Sequence, residues 1–335
     1  MTEDKESSKS DSPSISWSSF PERQKKLVVN YLDHKSRCRL EKCSKNDRKI
    51  VGETPLSFDK VLLSFARRHV RLQIDTLFIE SEHYKSVETA IKDFLLIFKN
   101  PESKFGEVVF QYLEGLDNDH VIQVNLLLHA NLQLLPTNFH ISAENLYYGL
   151  MGTRDECLEV FRRFQPRTLK RIRIKTLKLE KEEWEDVVNT EQWKNAKRMD
   201  IELENSLPIK ELFRFDSYYT IVEQLDSGDA ANIILNFATQ KRPRGSHFYV
   251  SSAKDLDLEE ITDLALSESM DKPVVQPFTP TVFLYTQNYQ LAEKTCLVVL
   301  VMKNEITGKL CNEDNLDDES TELYAKYLPK YLLDS

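Results

Sequence analysis

Leu169-Lys170-Arg171-Ile172-Arg173-Ile174-Lys175-Thr176-Leu177-Lys178-Leu179 is the stretch whose reading decides the fold. Ile172 and Ile174 alternate with Arg171, Arg173 and Lys175, which is the period of a strand with one buried face. A second stretch, Leu72-Gln73-Ile74-Asp75-Thr76-Leu77-Phe78-Ile79, carries apolar residues at the same relative positions, with a threonine between them in both. Further strand signals fall at 107–112, 138–141, 198–203, 218–223, 248–251 and 282–285. Helix-period stripes lie between them at 87–98, 119–128, 155–164, 182–193, 208–213, 230–237 and 258–266. Strand followed by helix, recurring every 20 to 35 residues or so, implies parallel strands with helices as their crossovers.

The spacing Leu-x-x-Ile-x-Ile-x-x-Leu-x-Leu beginning at Leu169 is similar to that of a leucine-rich-repeat strand. The pattern predicts an α/β chain whose residues 57–302 form an irregular β/α solenoid; the alternative is an ordinary doubly wound α/β sheet. Trp184 and Trp193 are expected to pack on the strand layer. Residues 303–335 read as an acidic segment carrying Asp314, Asp317, Asp318 and Glu319, followed by a short amphipathic piece at 323–332.

Ahead of the repeat lies a different kind of sequence. Residues 1–15 are Ser, Asp, Glu and Lys with little apolar content, and they read as a disordered tail. Residues 16–56 hold three short helix signals. Pro21 suits the first helical position, and Leu27, Val28, Tyr31 and Leu32 form a stripe at helical spacing. Ser36 is the expected cap of a second helix carrying Cys38, Leu40 and Cys43, and Asn46 or Asp47 the cap of a third, which Gly52 would end. Residues 17–52 contain ten Lys/Arg against four Asp/Glu, whereas the whole 335-residue chain carries a net charge of −9. A basic module on an acidic chain suits an acidic partner surface.

Trp17, Phe20-Pro21, the stripe at Leu27, Val28, Tyr31 and Leu32, and the run from Ser36 to Cys43 together resemble an F-box, in the divergent form common in nematode proteins. The usual opening is Leu-Pro, and here it is Phe-Pro. The resemblance implies docking on a Skp-type adaptor, and through it on a cullin scaffold, by Phe20, Pro21, Leu27, Val28, Tyr31, Leu32, Cys38, Leu40 and Cys43. A second resemblance follows in the chain. Gln192-Trp193-Lys194-Asn195-Ala196-Lys197, preceded by Leu169–Ile174, resembles the FTH domain found after F-boxes, over about 125–245. Where that family commonly has His-Phe, this chain has Arg214-Phe215. The two likenesses imply the substrate-recognition subunit of an SCF-type (Skp–cullin–F-box) ubiquitin ligase, itself without catalytic activity. The alternative is a protein-interaction scaffold with no ubiquitin role.

Residues 162–178 hold eight Lys/Arg and no acid. If Ile172 and Ile174 face the core, Arg171, Arg173 and Lys175 face away from it. Three cations there would favour an acidic or phosphorylated protein target. Nucleic acid is disfavoured by the net negative charge and by the lack of aromatics interleaved in this strand.

Other chemistry finds no motif. Eight glycines include no phosphate-cradling loop, and no nucleophile elbow or metal-protease signature is present. His34, Cys38 and Cys43 match no zinc spacing, so no metal or cofactor is expected. The run from Cys296 to Met302 is far too short to span a bilayer. Five dispersed cysteines without a Cys-x-x-Cys pair fit an intracellular, reducing compartment, cytoplasm or nucleus.

Overall fold

The computed structural model describes residues 16–312 apart from 68, 76–79, 85, 114–116, 176–178, 268–273, 280–281 and 288–294. The chain opens with a 3-10 turn (Trp17–Ser19) and three helices, α1 (Glu22–Asn30), α2 (His34–Glu41) and α3 (Lys45–Glu53). Then come β1 (Ser57–Phe65), β2 (Val70–Ile74), β3 (Glu80–Tyr84), α4 (Val87–Ile97), β4 (Lys104–Tyr112), α5 (Asn118–Gln133), β5 (Ala143–Gly149) and α6 (Arg154–Arg162). They are followed by β6 (Arg171–Ile174), α7 (Lys181–Val188), α8 (Glu191–Asn195), β7 (Arg198–Asn205), a 3-10 turn (Ile209–Leu212), β8 (Ser217–Val222) and α9 (Ser227–Thr239). The last elements are β9 (His247–Ser252), α10 (Leu258–Ser267), β10 (Val274–Thr279), β11 (Val282–Gln287), β12 (Thr295–Met302) and β13 (Glu305–Asn312).

The strands of the described residues join one 13-stranded sheet in the order β10-β11-β12-β13-β9-β8-β7-β6-β5-β4-β1-β2-β3. Its centre is parallel: β1 pairs with β4, and β4 to β9 then follow in chain order. Each crossover steps one place in the same direction. With right-handed connections, this puts every crossover helix on the same face. One hydrophobic cluster accordingly unites Phe94, Leu128, Phe161, Trp184 and Phe237 from the helices with Val61, Val108, Leu146, Ile172, Met199 and Phe248 from the strands. On the other face of the parallel strands, Leu62, Val109 and Tyr147 form a small separate cluster among the described residues. That face is called the open face below.

Local signals set the helix starts. Asp117 accepts from the His120 amide (3.0 Å), and Asp226 from Asp229 (2.7 Å). Thr153 and Glu156 form a reciprocal capping box at α6. Gly106 stands where β4 crosses β1 closely: a Cβ there would lie 2.5 Å from the Asp59 carbonyl oxygen.

The α/β class stands, and the structure corrects several details. The strand–helix alternation is confined to the parallel centre. β1–β3 form an antiparallel meander on one flank, and β9, β13, β12, β11 and β10 pair antiparallel on the other. The described residues between 57 and 312 therefore form one mixed sheet with its helices and not an array of repeats. The boundary expected at 302 falls inside the β12–β13 hairpin, because Glu305–Asn312 inserts between β12 and β9. The strand expected at 138–141 lies instead at 143–149, and Ile141 makes an isolated bridge to Phe164. The helix expected over 182–193 is two helices, since Thr190 leaves the helical path and caps α8 by accepting from the Trp193 amide. β2 ends at Ile74, where Asp75 takes φ 56° and its carboxylate accepts from the Asp59 and Lys60 amides. The tail at 1–15, the acidic stretch and the terminal piece at 323–332 lie outside the described residues.

Candidate docking site on the opening module

Helices α1–α3 close on a small interior. Val29 and Ile50 are fully buried, and Thr54 donates its hydroxyl to the Ile50 carbonyl at 2.7 Å. Asp33 caps α2 by accepting from the Ser36 amide, and Ser44 caps α3 by accepting from the Asp47 amide. The sequence reading placed both caps two or three residues too late: Ser36 and Asp47 are the residues whose amides are capped. Gly52 lies within α3, which ends at Thr54.

Two polar devices hold the module's shape. Arg37 is buried, and its guanidinium donates to the carbonyls of Leu32 (3.1 Å), Pro55 (3.1 Å) and Asn30 (3.3 Å), tying the α1–α2 corner to the exit of α3. Burial pulls its pKa below the ordinary guanidinium value. Trp17 Nε1 donates to one Asp47 oxygen at 2.8 Å and the Ser44 hydroxyl to the other at 2.7 Å. Lys25 lies 5.5 Å from the Trp17 ring centroid, with its stem buried. The sequence reading missed Arg37 and the Trp17–Asp47 clamp.

Those hydrogen bonds, Trp17 first and then Ser44, hold the Asp47 carboxyl below its ordinary 3.8. A group that is a stronger acid when folded stabilises above its unfolded pKa, and the contribution is lost as pH falls through the folded value. Indole emission assigned by difference from Trp17→Phe should therefore change on acidification below pH 3.8. In Asp47→Asn that step should be absent. An identical acid step in both proteins would remove the clamp from the account.

The predicted docking residues divide by exposure. Leu27 is 55% exposed, Val28 42% and Tyr31 90%, all on α1 or its last turn. Pro21 and Cys43 are also exposed, while Phe20, Leu32, Cys38 and Leu40 are half-buried. The buried face of α1 is Lys25 and Val29. The apolar stripe at 27, 28 and 31 thus points away from the module's own interior. Beside it lies a shallow, open depression lined by Glu22, Arg23, Lys26, Leu27 and Asn30. The module meets the sheet through backbone at the start of β4: the Lys104 amide donates to Leu56 O and the Leu56 amide to Ser103 Oγ, both at 2.9 Å.

The second predicted site lies on the open face, and here the structure corrects the charge picture. Arg171 pairs with Asp200 through two nitrogens (2.5 and 2.7 Å), and Arg173 pairs with Glu202. Arg173 also covers the Tyr147 ring at 5.0 Å. Lys175 is exposed. Two of the three expected cations are therefore neutralised by carboxylates of the neighbouring strand. Further along the face Tyr219 and Tyr249 stack at 4.7 Å and 6°, and Tyr249 donates to Glu305. Burial pushes the Glu305 carboxyl above its ordinary range, and the Tyr249 bond partly offsets this. Among the described residues no group of three or more His, Cys, Asp or Glu could hold a metal ion, and no helix is long and apolar enough to cross a membrane.

Comparison with known families matches residues 132–264 to the FTH domain. Neither the curated proteins nor the solved structures yield a match to this chain. The matched segment begins at the end of α5 and runs through most of α10. It takes in the parallel strands β5 to β9 and the Trp184–Trp193 pair, and it leaves the opening module outside. An FTH domain is thus found at residues 132–264, five of the thirteen strands with the helices over them, and it starts later and ends later than the 125–245 of the sequence reading.

Proposed function

We propose that this chain is the substrate-recognition subunit of an SCF-type ubiquitin ligase. One observation carries the reading: α1 spends its apolar stripe on the outside. Leu27, Val28 and Tyr31 remain exposed on a module that is already closed around Val29 and Ile50. Exposed apolar anchors at helical spacing suit helix-in-groove docking, where a few desolvated side chains supply most of the affinity. The F-box resemblance of this module names the partner as a Skp-type adaptor. The FTH domain downstream stands in the order that resemblance implies.

In this reading residues 17–55 join the ligase and the sheet holds the target. The chain contributes proximity to ubiquitin transfer and no catalytic group, cofactor or metal. The target surface is the open face around Arg171, Arg173 and Lys175. Because Asp200 and Glu202 already pair with the arginines, that face offers alternating charge beside Tyr147, Tyr219 and Tyr249. It suits a target of mixed charge better than a purely acidic one. An intracellular setting, cytoplasm or nucleus, follows from the same proposal.

The test is co-elution of the intact protein with a purified Skp-type adaptor. A stoichiometric complex supports the ligase reading. Absence of a complex at micromolar concentrations leaves an interaction scaffold without a ubiquitin role. Arg171→Glu with Arg173→Glu separates the two surfaces: target capture should fall while adaptor binding is unchanged.

A further inference from the structure

α5 is apolar on both of its long sides. Val124, Leu128 and Leu132 face the sheet and are buried. Ile122, Leu126 and Leu134 face the other way and are 56%, 62% and 84% exposed. With Ala130, also exposed, they fall at i, i+4, i+8 and i+12, a single ridge along the outer surface. Leu134 is the cap residue, and its backbone is still helical. Between Asp119 and Glu144 the sequence holds no Asp, Glu, Lys or Arg. The helices packed on either side differ: α4 and its exit expose Glu88, Lys92 and Lys99, and α6 exposes Asp155 and Arg162. A helix that is apolar all round is ordinarily buried. This one is covered on one side.

The flanks extend the apolar surface and then close it with charge. Asn125 donates to the Met151 carbonyl, which places Met151 beside the middle of α5. Its side chain and that of Leu96, on the adjoining α4, are each more than half exposed. His129 is half-buried, with Nε2 hydrogen-bonded to Gln133 at 2.7 Å and Nδ1 buried without a partner. Asp119 at the first turn, Lys92 and Lys99 on the α4 side, and Asp155 and Arg162 on the α6 side make a polar rim, the anatomy of a protein interface. α5 has 16 residues. Its length of about 24 Å and a breadth of about 25–30 Å for three adjacent helices give a face on the order of 700 Å², near the ~800 Å² per partner of a standard interface.

We infer that α5 is the contact helix of a symmetric dimer of this chain. A face without charge gives an acidic or basic partner no complement and would leave that partner's charges desolvated. It suits a face that is equally neutral, and this chain presents one. A two-fold axis brings the same patch of two copies together and requires the patch to be self-complementary. A ridge of i±4 residues meets that requirement, because two such ridges interdigitate with the helices crossing at about −50°. With the axis at Ala130, its small side chain lets the helices approach, and Leu126 of each copy lies against Leu134 of the other. The net charge of −9 opposes association of two copies, and the neutral ridge is where that repulsion is least. The helices and the open face lie on opposite sides of the parallel strands, so the dimer leaves both open faces free. It does not depend on the ligase reading.

Sedimentation equilibrium of the intact protein at about 0.15 M salt, where long-range repulsion is screened, tests the dimer. A monomer–dimer equilibrium in the micromolar range is expected. Leu126→Glu should weaken association at least roughly 30-fold, the effect of losing one central anchor. The urea midpoint should stay where it was, because the side chain is exposed in the single chain. Leu134→Lys alone should weaken association likewise. The two substitutions in one chain should recover most of the dimer, because each introduced carboxylate then meets an introduced amine on the other copy. A protein that is monomeric at roughly 100 µM, or a dimer that Leu126→Glu leaves intact, would overturn the inference. Slow hydrogen exchange along α5 in a monomeric protein would overturn it too and give the face to another segment of the same chain.

Discussion

Trp193→Ala should cost about 3–5 kcal/mol of stability, the range for removing a fully buried large aromatic. Trp193 is 0% exposed, its ring lying 5.9 Å from Trp184 and edge-on to Phe215 at 5.1 Å. It projects from α8, a helix of five residues that could not persist alone. The ring is thus what fixes α8, and with it the approach to β7, onto the sheet. Domains commonly have only about 5–15 kcal/mol in total, so the loss should be visible as a large drop in the urea midpoint. The indole N–H has no hydrogen-bond partner. Trp193→Phe keeps the ring contact and removes an unpaired donor, and it should lose distinctly less than alanine. Equal losses for the two, or an unchanged midpoint in Trp193→Ala, would contradict the packing described for the FTH domain.

Leu27→Ala with Tyr31→Ala should weaken capture of a Skp-type adaptor by at least roughly 30-fold, the effect of losing one anchor worth about 2 kcal/mol. Folding should be unaffected, because the two side chains are 55% and 90% exposed and alanine is the strongest helix former. That contrast with Trp193→Ala is what makes the pair informative. One variant should lower the unfolding midpoint of the FTH domain and leave the α1 face intact. The other should leave every melting curve alone and remove binding. Titration calorimetry with the purified adaptor reads the second, and an unchanged affinity would take α1 out of the docking surface.

The sequence shows most clearly the elements with one buried face. β6 alternates cleanly at Arg171–Ile174, and α4 carries its apolar stripe on the face that meets the sheet. The elements that escape it are the ones buried on both sides or paired at long range. β12 reads as a continuous apolar run, and Leu297, Val298, Val299 and Leu300 are all fully buried, so no alternation marks it as a strand. β13, with Gly308 in its middle, offers little strand propensity. It forms because its two neighbours in the sheet supply the ladder, and Gly308 is required because a Cβ there would lie 2.3 Å from the Phe248 ring.

The candidate sites follow the same division. The stripe at Leu27, Val28 and Tyr31 is visible in the sequence, but its direction is not. The small buried face of α1 contains Lys25, which a pattern reading assigns to solvent. On the open face the side on which Arg171 and Arg173 lie is legible from alternation. Their neutralisation is not, because Asp200 and Glu202 stand 29 residues away and are brought alongside only by the β6–β7 pairing.

The central claim is that the outward face of α1 is a docking surface. Hydrogen exchange along α1, with and without a Skp-type adaptor in excess, tests it most directly. Amides from Leu27 to Tyr31 should exchange markedly more slowly in the mixture, while those of the FTH domain around Trp193 stay as they were. Unchanged exchange across α1 in a mixture shown to contain the complex would contradict the claim.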